Sequence, residues 1–222
     1  MSERVGPLES SPWPSALEAH AVSLEGEIRL HGYGVESDLA AHYRFSDLLY
    51  LAVKGELPDD RRSRAFEVAL IFALPLSVAE APIHAAALAR ICGARQGGVL
   101  SVAGLSLAER ASDTVGRYLP TLTGHVVPPA AEDLSEAAAA SVARLRALLE
   151  GVIDVPLLAA RPSRELALLA VLWECGLQTE AELVQVMTMA RLPSAVAESS
   201  KRRPLDFASY PTNTPALDYV GG

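Results

Sequence analysis

The chain has 222 residues, half of them apolar, and a formal net charge of −8. That length allows a sizeable buried core in one or two domains, and the acidic balance argues against a phosphate backbone as partner, so no nucleic-acid function is expected. No stretch of about 18 apolar residues runs free of charge or proline and the first residues lack an apolar signal core, so no membrane span and a cytoplasmic location are expected.

Alanine and leucine are abundant and aromatics make up only 5% of the chain, which favours helix. Residues 1–20 read as a loose leader with Pro7, Pro12 and Pro14. Gly26, Gly32 and Gly34 punctuate a short hairpin over Leu24–Gly34. Helical pattern begins near Ser37, and Phe45, Leu48, Leu49 and Ala52 recur at helical spacing until Gly55 stops them. Asp59 or Asp60 caps a helix reaching about Leu74, and others fit His84–Cys92 and Gly98–Leu107. Pro120, Gly124, Pro128 and Pro129 make residues 116–129 read as a loop. Residues 132–150 are helical, with acids first and arginines last. A helix follows over Ser163–Glu174, stopped by Gly176, and Thr179 with Glu182 forms a capping box for a helix through Met189. The tail from Pro204 reads as extended. Cys92 and Cys175 lie far apart in apolar helical pattern and read as buried, unpaired thiols.

The five histidines are scattered, so no metal site is expected. Gly97-Gly98 lacks the lysine and further glycines of a phosphate loop, and no Gly-x-Ser-x-Gly elbow occurs.

Two stretches carry a resemblance. His31-Gly32-Tyr33-Gly34-Val35-Glu36-Ser37-Asp38-Leu39 is followed by Phe45-Ser46-Asp47-Leu48-Leu49-Tyr50-Leu51 and then Gly55-Glu56-Leu57-Pro58. Near the C-terminus stand Pro162-Ser163-Arg164-Glu165, Cys175-Gly176-Leu177, Ala190-Arg191 and Arg203-Pro204 with Tyr210. Their order resembles the citrate synthase family. The resemblance covers most of residues 24–115 and 162–212 and implies an all-α fold: a multi-helical large domain (21–116 and 162–222, the latter with an extended tail) and a reduced small-domain segment at 117–161.

The resemblance also implies a chemistry. The family joins an acyl-CoA to a 2-oxo acid or cleaves the product, so an acyl-CoA co-substrate, no permanently bound cofactor and a homodimer are implied. Glu165 matches the catalytic aspartate, one methylene longer; an acid in a helix's first turn is also an ordinary dipole partner. His125 matches the histidine that polarises the keto group, in a Pro120–Gly124–His125 loop that also touches CoA; a lone Gly-His in a loop reads first as a surface histidine. Arg191 and Arg203 match the carboxylate-binding arginines, the latter reaching across a dimer, although Arg203 also sits in a basic run. His84 is the nearest histidine to Leu74-Pro75-Leu76, where the family has a substrate-binding Asp-His-Gly, and reads equally as a helix histidine. The thioester-polarising histidine has no match, for its place falls on Ala108–Gly116. Two functions stay open: an active acyl-CoA-dependent synthase or lyase, and a degenerate member serving as a dimeric scaffold or carboxylate-binding module.

Overall fold

Positive φ at both His31 (49°) and Gly32 (86°) makes a tight two-residue turn, since such a hairpin needs the left-handed region at both positions. The computed structural model describes residues 19–24, 26–77, 79–126 and 135–199. Three antiparallel strands, β1 (Ala21–Leu24), β2 (Glu27–Leu30) and β3 (Tyr33–Gly34), form a small meander in the order β1-β2-β3, with Ala21 opposite Leu30 and Leu30 opposite Tyr33. His31 stacks on His20 at 4.6 Å between ring centroids.

The remaining regular structure is helical, and the all-α expectation holds. A π-helical turn (Val35–Leu39) leads into α1 (Ala40–His42) and α2 (Phe45–Lys54). Gly55, at φ 77°, ends α2 in the left-handed conformation that a side chain would oppose. α3 (Asp60–Ala73) starts at Asp59, whose carboxylate accepts from the Arg61 and Arg62 backbone N–H groups. α4 (Ala81–Ile91), α5 (Gln96–Leu122) and α6 (Glu136–Leu149) follow, then a 3-10 turn (Pro156–Ala160), α7 (Arg164–Glu174) and α8 (Glu180–Ser199).

α7 is the central helix: every residue from Leu166 to Leu172 is buried, so it is apolar all round. Around it α2, α3, α6 and parts of α5 and α8 build one core, including Tyr50, Phe66, Val115, Leu145, Leu169 and Met187. A smaller core joins α4, the first half of α5 and the end of α8 through Ile83, Ala86, Val99, Ala103, Leu107 and Ala195.

Several local expectations change. The helix read over Gly98–Leu107 and residues 116–122, read as the start of a loop, are one 27-residue helix, α5. Pro120 falls in its last turn, where one missing N–H bond is tolerable, and Gly124 at φ 77° provides the stop. α8 likewise runs past Met189 and through Pro193, because Ala195 packs into the second core. Cys175 is buried, but Cys92, in the cap of α4 before the Gly93 turn, is exposed; both are free thiols. Among the described residues no helix is long and apolar enough to cross a membrane.

Candidate active site

The C-terminal end of α3 is the anchor. A helix end leaves carbonyls without internal partners and carries partial negative charge, so it attracts cations. Three side chains from two other helices meet it. Arg164, the first residue of α7, donates from Nη2 to the Phe72 carbonyl. Arg191 of α8 donates from Nε to the Ala73 carbonyl at 3.4 Å, and Ser194, one turn on, donates to the Leu74 carbonyl. Leu74-Pro75-Leu76, matched in sequence to a substrate-binding motif, thus begins at this junction.

Arg191 is only 4% exposed. Its Nη1 is buried with no hydrogen-bond partner among the described residues, and the same holds for Nε of Arg164. Burial pulls the Arg191 guanidinium's proton affinity down; neighbouring Arg110 and Arg164 act in the same sense, while Glu165 and Glu80 oppose them. Arginine keeps its proton under these conditions. The result is a buried cation facing two carboxylates and two further cations, with no carboxylate at ion-pair distance among the described residues.

Each neighbour is placed by its helix. Glu165 lies in the first turn of α7, which Ser163 caps by accepting from the Leu166 N–H at 3.2 Å. The Ser163 hydroxyl also bonds the Tyr118 hydroxyl of α5 at 3.1 Å, fixing the start of α7 against that helix. Glu80 is the N-cap residue of α4 and forms an ion pair with Arg110, midway along α5.

Glu165 lies near enough to Arg191 to act on its charge. Arg110, Arg164, Glu80 and Ser194 join them, although sequence reading singled out none of these for chemistry. Arg164 was quoted only as the residue before Glu165, and Arg110 only within the stretch that lacks a histidine. His84 stands one turn along α4 from Glu80, whose carbonyl its backbone N–H bonds at 2.9 Å. His125 is exposed just past α5, with Nδ1 2.6 Å from the Thr123 hydroxyl; none of its described contacts reaches Glu165 or Arg191. The His125 and Val126 N–H groups bond the Pro120 carbonyl at 2.9 and 3.1 Å, so Pro120, Gly124 and His125 together form the stop of α5. Arg203 lies outside the described residues.

An open cleft of about 1050 Å³ lies elsewhere, between α6 and residues 150–162, with Arg61, Arg146 and Arg161 among alanines such as Ala139 and Ala143. Neither Glu165 nor Arg191 lines it, and its carboxylates Glu136, Glu150 and Asp154 offset its cations. The group around the buried Arg191, a cation with an unsatisfied N–H and carboxylates near enough to act on it, is the better candidate for chemistry. No group of three or more potential metal ligands occurs among the described residues.

No protein-family model and no curated protein matches the chain. Among solved structures it is similar to the citryl-CoA lyase from Hydrogenobacter thermophilus, with a TM-score of 0.64 and 19% identity over 93% of this chain and 98% of that one. At that identity the likeness is one of fold, and the fold is all-α and citrate synthase-like.

Proposed function

We propose that the protein makes or breaks a carbon–carbon bond between an acyl-CoA and a 2-oxo acid, with the cleavage of a citryl-CoA-like thioester as the first reaction to test. The observation that carries this reading is the buried, incompletely bonded Arg191 guanidinium, on whose charge Glu165 acts from the start of α7. A carboxylate beside a cation that lacks an anion suits a reaction in which a carboxylate substrate binds next to a base. The likeness to a citryl-CoA lyase supports the cleavage direction.

In cleavage, the substrate hydroxyl loses its proton as the bond between the hydroxyl-bearing carbon and the thioester α-carbon breaks. A 2-oxo acid leaves, and the electron pair remains as the thioester enolate, which takes a proton to become the acyl-CoA. Glu165 exchanges the α-proton and Arg191 holds the acid's carboxylate. His125 receives the hydroxyl proton, and Arg203 adds a second clamp from a partner chain in a homodimer. Pro120 and Gly124 shape the turn against which CoA rests, and His84 borders the acid site. No tightly held cofactor is needed.

A second reading has its own support. α5 is continuous helix over residues 108–116, where the family's thioester-polarising histidine would lie, and it presents Arg110 instead. A carboxylate-binding module that has lost the chemistry fits this substitution. The deciding experiment offers citryl-CoA and follows 2-oxo acid release, then offers a panel of acyl-CoAs with 2-oxo acids and follows free thiol. The Cys92→Ser variant keeps the protein's own exposed thiol from contributing. Turnover in either arm that Glu165→Gln abolishes supports the enzyme; no turnover with retained 2-oxo acid binding supports the module.

A further inference from the structure

We propose that Arg164 is a second anion-binding residue, and that its Nε and the Nη1 of Arg191 together receive a single carboxylate, that of a small 2-oxo acid. The inference rests on the carboxylate-binding reading of Arg191 and extends it to a residue that the resemblance leaves without a role, since the family motif there is Pro-Asn-Val-Asp and puts an apolar side chain where Arg164 stands.

The two guanidiniums are held side by side, because their recorded bonds go to the carbonyls of consecutive residues, Phe72 and Ala73. Each then has a buried N–H with no partner among the described residues. A buried, unsatisfied donor on a charged group is costly, and two on adjacent like-charged groups are more so, unless an anion completes them. A carboxylate has two oxygens and can accept from both at once.

The other charges limit what else fits. Arg110 is already paired with Glu80, so it offers less to a ligand than Arg164 or Arg191. Glu80 and Glu165 both act on Arg191, so the positive charge left at this pair suits one carboxylate of a ligand, whatever other groups the ligand carries. Ser194, turned to the Leu74 carbonyl, keeps that end of α3 from competing for the arginines. One carboxylate, with its keto carbon presented toward Glu165, is the ligand this balance suits.

The test is calorimetric titration of the full-length protein with pyruvate and with oxaloacetate, using methyl pyruvate as the uncharged control. Arg164→Gln, Arg164→Lys and Arg191→Gln are compared, with the ligand-free melting temperature measured for each. Glutamine at 164 removes the charge and lysine keeps it, and the ligand-free melting temperature reports what the lost bond to Phe72 costs. The expected result is that both acids bind the unaltered protein and the methyl ester does not. Arg164→Gln then raises Kd at least tenfold with little change in ligand-free melting, and Arg164→Lys recovers part of the loss. An unchanged Kd in Arg164→Gln, with binding lost in Arg191→Gln, overturns the role of Arg164 and leaves that of Arg191 standing. Lowered melting with unchanged Kd makes Arg164 an anchor and likewise overturns the proposal. Failure of both acids to bind the unaltered protein overturns this proposal and the carboxylate-binding reading together.

Discussion

The Tyr50 hydroxyl donates to the Cys175 carbonyl at 2.8 Å and joins α2 to the end of α7 across 125 residues of sequence. Tyr50 is fully buried and stands edge-on to Phe66, with ring centroids 5.4 Å apart. Gly176, at φ 100°, passes so close that a Cβ there would lie 3.2 Å from the same hydroxyl. Tyr50→Phe should therefore cost about 1–3 kcal/mol by leaving a buried carbonyl unsatisfied. Gly176→Ala should cost at least about 1 kcal/mol from backbone conformation alone. The double variant should cost less than the two together, because removing the hydroxyl also removes the contact. Urea denaturation of the four proteins measures that coupling.

The two thiols should behave differently. Burial pushes the Cys175 thiol up to about 12, with Arg62 offsetting only part of it, whereas Cys92 is exposed. At pH 8 the thiolate fraction of Cys175 is on the order of 10⁻⁴. A disulfide reagent should label one thiol per native chain and two per unfolded chain, and none in native Cys92→Ser. Rapid labelling of native Cys92→Ser would contradict the burial of Cys175.

A pH dependence follows from the start of α8. Burial raises the Glu182 carboxyl, but bonds from Lys54 (2.9 Å) and from the N–H groups of Gln178 (2.8 Å) and Thr179 (2.9 Å) outweigh it and hold the carboxyl below its ordinary value. The unfolded chain thus binds this proton more readily, so the stabilisation is complete above the ordinary value of 4.5 and drains away as pH falls through the lower folded value. Glu182→Gln should cost about 1–2 kcal/mol at pH 7. Its deficit against the unaltered protein should shrink steadily below about pH 4.5, as chemical denaturation at a series of pH values would measure.

Caps and stops were legible because they are local. Asp59, Gly55, Gly176 and the Thr179–Glu182 box all do what their residue types dictate. Facing was not. Phe45 anchored the expected apolar face of α2, yet it is 79% exposed, while Tyr50 and Leu51 are buried. The helix is turned by contacts further off in sequence: Tyr50 to Cys175, and Asp47, which accepts from the Ser63 hydroxyl of α3. Prolines misled for the same reason, since the sequence around Pro120 and Pro193 does not reveal which helix packs alongside. Within the site, the resemblance pointed to Glu165 and Arg191, but Glu80 and Arg110 come from helices whose proximity only the packed fold establishes.

Arg191 gives the strongest contrast between a structural arginine and one kept for a ligand. If it served only to cap α3, replacing it would destabilise the protein. Its recorded bond to Ala73 is long, 3.4 Å, and its guanidinium is buried beside two other cations. Taking a charge out of water under those conditions is expensive, and breaking a buried pair is damaging mainly when it strands the partner charge. Here removal leaves Glu80 paired with Arg110 and breaks no ion pair, since none of the described ion pairs includes Arg191. Arg191→Met should accordingly leave unfolding stability unchanged or raise it by up to about 2 kcal/mol, while 2-oxo acid binding is lost. Denaturation and calorimetric titration on the same preparation measure both. A loss of stability above about 1 kcal/mol would mark Arg191 as a capping residue, since a buried cation retained at a cost to the fold should become cheaper to bury only when its anion arrives.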